Sequence, residues 1–223
     1  MTMCFTASGL LAVGLLLLSV HQPADACSCG PSHPQQTYCQ ADVVIKGKIV
    51  GSKVIAMDNS SDPNAFQWIQ YEVQQQKMYK GFEKVERIRH VYTPLADFVC
   101  GMVLRADEMN EEYVLTGSLG TDGKVFISIC SFNRPWSQLT LAQQAGLERI
   151  YEAGCHCTVV PCLSLPCGVT AGSQCLWTDG IFTGNWNGTQ SQRYACSMKP
   201  TGLCQWVSAR STKARALFRR KAQ

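Results

Sequence analysis

The sequence is poor in the residues on which hydrolytic chemistry usually rests. Histidine occurs four times in 223 residues, and beyond the first 26 only as His33, His90 and His156. There is no His-Glu-x-x-His pattern, which excludes a metalloprotease built on that helix. There is no Gly-x-Ser-x-Gly elbow either, which removes the α/β-hydrolase nucleophile. Apart from Leu10 to Val20 no long apolar run occurs. That one is too short for the roughly 20 residues a spanning helix needs. No membrane span is expected, and no nucleic-acid partner.

The short apolar run has another use. It is followed by Ala24-Asp25-Ala26, the small-residue pattern at which an export signal is cut. No Lys or Arg precedes it, so the α-amine alone supplies the positive end. Residues 1–26 are read as a signal peptide, and the exported chain begins at Cys27, placing it in the extracellular space or matrix. Of thirteen cysteines only Cys4 lies in the removed segment. The twelve that remain are an even, dense set, which in an exported chain reads as a disulfide framework. Sequons at Asn59 and Asn187 are candidate glycosylation sites in surface loops.

Strand patterning fills the first part of the chain. Asp42 to Ile55 is rich in β-branched residues, with Gly47 and Gly51 placed as at bulges in a curled strand. Phe66 to Tyr79 alternates with period two. Arg87–Tyr92, Tyr113–Thr116 and Lys124–Cys130 complete five strands. Thr140 to Gln143 then fits a capping box, opening a helix that runs to Gly154. Five short strands and a helix suggest a small barrel of the OB type; a sandwich fits the periodicity equally well. From Cys155 the texture changes to seven cysteines in 50 residues, where cross-links substitute for a core. Charge divides at the same place. Residues 27–154 carry 12 basic and 14 acidic side chains, net −2, and residues 155–223 carry 8 basic and 1 acidic, net +7. The chain thus divides into two units, 27–154 and 155–223, the second ending in a basic tail.

The new N-terminus is the chemically unusual feature. The α-amine and carbonyl oxygen of one residue form a five-membered chelate, and a catalytic zinc keeps one position open for water. Such a chelate displaces that water and leaves no nucleophile. The amine must be neutral, and with a reference pKa of about 7.7–8.0 this costs only about 1–1.4 kcal/mol at pH 7. Disulfides at Cys27 and Cys29 would hold the terminus still beforehand, with Pro31 and Pro34 stiffening the backbone beyond it. Anchoring a chain end is the commoner role of such a pair, so the chemistry leaves both readings open.

Cys27-Ser28-Cys29, His33-Pro34-Gln35 and Cys39 resemble the opening of the tissue inhibitors of metalloproteinases. The likeness continues through Lys77–Phe82, Val91–Pro94, Val99-Cys100-Gly101, Cys175–Asp179 and Cys204-Gln205-Trp206. Pro161 to Cys167, Ser131-Phe132 and Pro135-Trp136 most resemble the type-1 member. The resemblance implies a mainly β fold with flanking helices, a five-stranded OB-fold-like (netrin-type) barrel plus a small disulfide-rich C-terminal subdomain. It implies the bridges Cys27–Cys100, Cys29–Cys130, Cys39–Cys155, Cys157–Cys204, Cys162–Cys167 and Cys175–Cys196.

It also implies a secreted inhibitor, not an enzyme, with matrix metalloproteinases and their zymogens as partners of a monomer in 1:1 complexes. Cys27 would ligate the protease's zinc, shared with that partner; the chain has no cofactor of its own. Ser28 would enter the specificity pocket, and Cys29, Gly30 and Pro31 would lie along the cleft. Asp97, Phe98 and Val99 would form a second contact ridge, bulkier at Asp97-Phe98 than expected, which points to altered selectivity. A netrin-like binding module for matrix or receptor, without inhibition, is the alternative. The tail of residues 210–223 reads as solvated, with retention on sulfated glycosaminoglycan the competing expectation.

Overall fold

The β-branched stretch and the alternating stretch become two long strands, and the rest of residues 27–154 is arranged around them. The computed structural model describes residues 27–56 and 66–209. The signal segment, the Asn59 sequon and the basic tail lie outside the described residues.

Strand β1 is Val43–Ala56 and β2 is Gln67–Lys80. They pair antiparallel along almost their whole length, with register shifts at Val44/Ile45, Lys46/Gly47 and Ile49/Gly51. Each shift sharpens the local twist, which lets one long strand bend around a small barrel. At Gly47 the approach is close enough that a Cβ would lie 2.7 Å from Val73 Cγ1. Strand β3 is His90–Pro94, β4 Glu112–Leu119 and β5 Val125–Phe126. The ring runs β1–β2–β3–β5–β4 and closes because Val43–Lys48 also pairs with Glu112–Gly117. β3 and β5 run parallel; the other pairings are antiparallel. The chain therefore builds the barrel and not the sandwich. A two-residue strand, β6 (Arg134–Pro135), adds to the outside of β4.

Inward residues of every strand meet in the barrel interior, among them Ile45, Ile49, Tyr71, Val91, Leu115 and Val125. Truncating one of the interior aliphatics to Ala would cost about 2–5 kcal/mol. The fifth strand is shorter than its sequence suggests. Ile127 N still donates to Tyr92 O at 2.8 Å, but the chain then turns through Ser128–Ser131, and Cys130 is bonded to Cys29. The disulfide and the turn, not the ladder, fix the last residues of the expected strand.

A short helix, α1 (Pro34–Gln40), is capped by His33 and lies between the barrel and the cysteine-rich part. Its C-terminal carbonyls on Tyr38 and Cys39 accept from Lys80 Nζ at 3.1 and 2.7 Å, a cation where the helix dipole is negative. The capping box forms as expected. Thr140 Oγ1 accepts from Gln143 N, and Gln143 Oε1 accepts from Thr140 N. The helix it opens, α2 (Leu141–Ala145), passes into a wider turn, Gly146–Ile150, and a last turn, Glu152–Gly154.

Beyond residue 154 come two small two-stranded sheets. β7 (Thr158–Pro161) runs parallel to β8 (Gln174–Trp177), and β9 (Tyr194–Met198) pairs antiparallel with β10 (Cys204–Ser208). Helices α3 (Asp179–Thr183) and α4 (Thr189–Arg193) lie between β8 and β9. Cystine sulfur and tryptophan make this core, with Cys157, Cys175, Cys196 and Cys204 around Trp177. Asp179, the single acidic residue after position 154, is buried there. Its carboxylate accepts from Trp177 Nε1, Gln190 N and Ser191 N at 2.9–3.1 Å. That is a negative charge at a helix N-terminus, satisfied by N–H groups rather than by a cation.

Candidate functional site

Residues 27–31 are held by covalent bonds and little else. Ser28, Cys29 and Gly30 are exposed, with Cys27 and Pro31 half-buried, and none lies in regular structure. Among the described residues no backbone hydrogen bond ties residues 27–31 to the barrel. Two disulfides do so instead, Cys27–Cys100 and Cys29–Cys130, with Cα–Cα distances of 5.0 and 5.2 Å. The bridges pack sulfur against sulfur: Cys130 Sγ lies 3.7 Å from Cys27 Sγ and 3.5 Å from Cys100 Sγ.

Four cysteine sulfurs within 4.8 Å of one another have the look of a metal centre. They are not one, because the thiolate is the metal ligand and all four sulfurs are spent in disulfides. The same holds for the Cys157, Cys196 and Cys204 group. Cys155-His156-Cys157 is no centre either, since Cys155 pairs with Cys39 and Cys157 with Cys204. Cys162–Cys167 and Cys175–Cys196 complete the set. The twelve cysteines thus form the six pairs that the family resemblance implies.

The segment that carries Cys100, the far end of the first bridge, is built from the end of β3. After Pro94 the chain makes one 3-10 turn, Asp97–Val99, and then reverses through Cys100, whose φ of 63° is left-handed. The next residue must be glycine. A Cβ at Gly101 would lie 2.0 Å from Pro94 O, and Gly101 N donates back to Ala96 O at 3.3 Å. Buried Thr93 then fixes the exit, its Oγ1 accepting from Met102 N at 2.8 Å. This tight reversal sets Asp97–Val99 directly before the cysteine that bonds Cys27. Phe98 is 71% exposed, so core packing does not account for it, while Val99 is half-buried. Two further apolar side chains, Val103 at 48% and Ile129 at 45%, are exposed nearby along the chain. Ile129 N donates to Cys100 O at 3.0 Å, so the two cystine segments are hydrogen-bonded as well as cross-linked. Neither residue is singled out by the sequence: Ile129 falls within the expected fifth strand and Val103 in no expected element.

Behind the segment, His33 is buried between Trp177 and Trp206, with ring centroids 5.3 and 5.2 Å away. Its Nδ1 accepts from Gln35 N, so the proton sits on Nε2, facing Gln190 O at 3.2 Å. Burial lowers its pKa to about 4, against weaker opposition from the Gln190 carbonyl and Asp179. Gln35, also buried, donates to Gly154 O and Cys196 O and accepts from Cys196 N at 2.7–3.0 Å. The residues just after the exposed segment are thus locked to the cysteine-rich part. The three histidines are far from forming a catalytic set: His33 is buried in this way, and His90 and His156 are exposed. Asn187 is exposed in the turn before α4.

Residues 25–206 match the family model described as tissue inhibitor of metalloproteinase. The chain belongs to that family. Its relatives include metalloproteinase inhibitor 2 of Homo sapiens, 42% identical over 197 residues and 88% of each chain. Metalloproteinase inhibitor 4 of Mus musculus is 41% identical over 199 residues, 87% of this chain and 88% of its own. Metalloproteinase inhibitor 3 of Scyliorhinus torazame is 36% identical over 201 residues, 90% of each. The identities are alike across types 2, 3 and 4, and none of these singles out the type-1 member. The tissue inhibitors of metalloproteinases are inhibitors rather than enzymes, in keeping with the missing catalytic motifs. No helix among the described residues is long and apolar enough to cross a membrane.

Proposed function

We propose that this protein is secreted, loses residues 1–26, and inhibits zinc metalloproteinases by setting the freed α-amine and carbonyl oxygen of Cys27 on the partner's catalytic zinc. The observation that carries the reading is the paired cystine clamp. Residues 27–30, exposed from Ser28 to Gly30, have no backbone hydrogen-bonded frame among the described residues, yet both cysteines in that stretch are bonded to the barrel. A chain end held so firmly and left so exposed has already lost the freedom that binding would otherwise remove.

The donors suit the metal. A neutral amine and a carbonyl oxygen are acceptable zinc ligands, and the Cys27 sulfur is unavailable. The zinc belongs to the protease, whose three protein ligands leave one position for water; filling that position removes the nucleophile. Ser28 is the first side chain beyond the chelate and enters the specificity pocket. Cys29, Gly30 and Pro31 follow the cleft. Asp97, Phe98 and Val99 meet the protease beside them. Matrix metalloproteinases and their zymogens are the partners this reading names, one protease per inhibitor. Closeness to the type-1 member rests on the Pro161–Cys167 loop and the Ser131–Trp136 stretch alone.

A fluorogenic peptide assay of a matrix metalloproteinase tests it, using protein that begins at Cys27, the same protein carrying Ala26, and protein carbamylated at its terminus. Inhibition by the first form only, with equal thermal midpoints for all three, is the expected result. Equal inhibition by the extended form would remove the chelation mechanism. Absence of inhibition by every form would leave a binding module in its place.

A further inference from the structure

An open groove of about 460 Å³ lies between α1 and the outer face of the barrel, and of its lining the inhibitory reading uses only Val99 and Cys130. One side is aromatic. Trp68 of β2 and Phe126 of β5 meet edge to face with centroids 5.3 Å apart. Strand alternation turns both outward: Ile69 beside Trp68, and Val125 and Ile127 on either side of Phe126, face the barrel interior. The other side is hydroxyl and amide, from Thr37 and Gln40 of α1 and Ser118 of β4. None of the fifteen residues lining the groove carries a charge.

The groove also holds an unmet hydrogen bond. Thr116 is 1% exposed and lines the groove. Its Oγ1 is the one buried side-chain polar atom among the described residues that has no partner. The neighbouring Asn133 carboxamide is already engaged, accepting from Thr116 N at 2.7 Å and donating to Ser128 O at 2.9 Å. A buried hydroxyl left unpaired is a cost that a ligand hydroxyl can offset.

We propose that this groove binds a neutral oligosaccharide, one sugar ring lying against Trp68 with its hydroxyls directed to Thr37, Ser118 and Thr116. The C–H face of a pyranose needs an aromatic platform, and its hydroxyls need closely spaced acceptors and donors with no net charge. Both are present here, in a concave site where an aromatic side faces a row of hydroxyl and amide groups. The lack of any cation in the lining sets the ligand class apart from sulfated or phosphorylated sugars, which require one. Val99 and Cys130 line the groove as well, so a bound glycan would sit beside the ridge and clamp.

The test is saturation-transfer NMR on the chain beginning at Cys27. Chitotriose and maltotriose are the probes, with a sulfated heparin disaccharide and a proline-rich peptide as comparators. Saturable binding of at least one neutral sugar is expected, weakened by about tenfold or more in Trp68→Ala. Ser118→Arg should weaken it similarly, because it fills the groove from an exposed position with no cost to the fold. No saturable binding of either neutral sugar would overturn the proposal. So would binding untouched by both substitutions, or a preference for the sulfated disaccharide or the peptide.

Discussion

Lowering the pH from 7 to 4 should unfasten the seam between the barrel and the cysteine-rich part, and His33 is the reason. In the folded protein its pKa is lowered from 6.5 to about 4, because the imidazolium would have to form between Trp177 and Trp206 without water. The unfolded chain takes up this proton as pH falls past 6.5, while the folded chain resists until about pH 4. Stability is therefore whole above pH 6.5, declines through that window, and is lost in full below the folded value. The slope is about 1.4 kcal/mol per pH unit and the total about 3 kcal/mol. For a chain of this size that corresponds to a fall in Tm of roughly 6–12 °C. Carboxylates also weaken the fold in acid. Asp42, held low chiefly by its hydrogen bond from Lys84, and Glu112, held low by that from Lys46, protonate below their ordinary values of 3.8 and 4.5, so their effect begins near those ordinary values, at the acid end of the His33 window. Urea denaturation with disulfides intact, at half-unit steps from pH 7 to 4.5, reads the slope. His33→Asn keeps an N-cap acceptor for Gln35 N and has no proton to gain. It should be less stable at pH 7, through lost contact with the two indoles, yet nearly flat across the window. If His33→Asn falls as steeply as the parent between pH 6.5 and 4.5, the buried imidazole is not the source.

Phe98→Ala should leave Tm within about 1–2 °C, since the ring is exposed, while raising the inhibition constant against a matrix metalloproteinase about tenfold; an unchanged constant would take Phe98 out of the contact ridge. Replacing Cys29 and Cys130 together by Ser frees the segment while Cys27–Cys100 remains. Ordering roughly three residues on binding then costs about 3–6 kcal/mol of backbone freedom, so the inhibition constant should rise at least a hundredfold, chiefly through faster dissociation. Tight inhibition by that variant would show that the clamp does not preorganise the terminus. Asp179→Ala removes the acceptor for three N–H donors and should cost roughly 3 kcal/mol or more by chemical denaturation; a cost below about 1 kcal/mol would mean that water replaces it.

Much of the barrel is legible in local pattern, because β1 is rich in β-branched residues, β2 alternates, and Gly47 and Gly51 fall where the register shifts. The capping box at Thr140 is equally local, and it forms. What is not legible is anything that depends on a partner distant in sequence. Whether five strands close or stack is decided by β1 pairing with β4 and by β3 running parallel to β5, and neither leaves a mark in either strand alone. Ile129 alternates with Val125 and Ile127 and yet is exposed, because the turn that begins at Ser128 and the disulfide at Cys130 end the ladder directly after Ile127. Phe98 is apolar, and only the tight reversal at Cys100-Gly101 turns it outward. Thr116 has the burial expected of a strand residue, and nothing in its neighbours announces an unpaired hydroxyl.

The site has a different logic from the barrel that carries it, and this explains why cysteine spacing is more informative there than periodicity. A segment meant to enter another protein's cleft must stay exposed, so it cannot be fixed by burial. It must also present its own backbone to that cleft, so it is poorly served by a ladder that consumes backbone donors and acceptors. Cross-links through side chains are the remaining means of fixing a backbone that is neither buried nor hydrogen-bonded. Residues 27–31 meet that description, and the two cystines join them to the turn after β3 and the turn after β5, which Ile129 N and Cys100 O tie together. Rigidity comes from the barrel, and access comes from the absence of any cover among the described residues. The same reasoning says where substitutions should act: changes in the barrel interior lower stability first and inhibition only through it, whereas changes at the clamp lower inhibition with the barrel still folded.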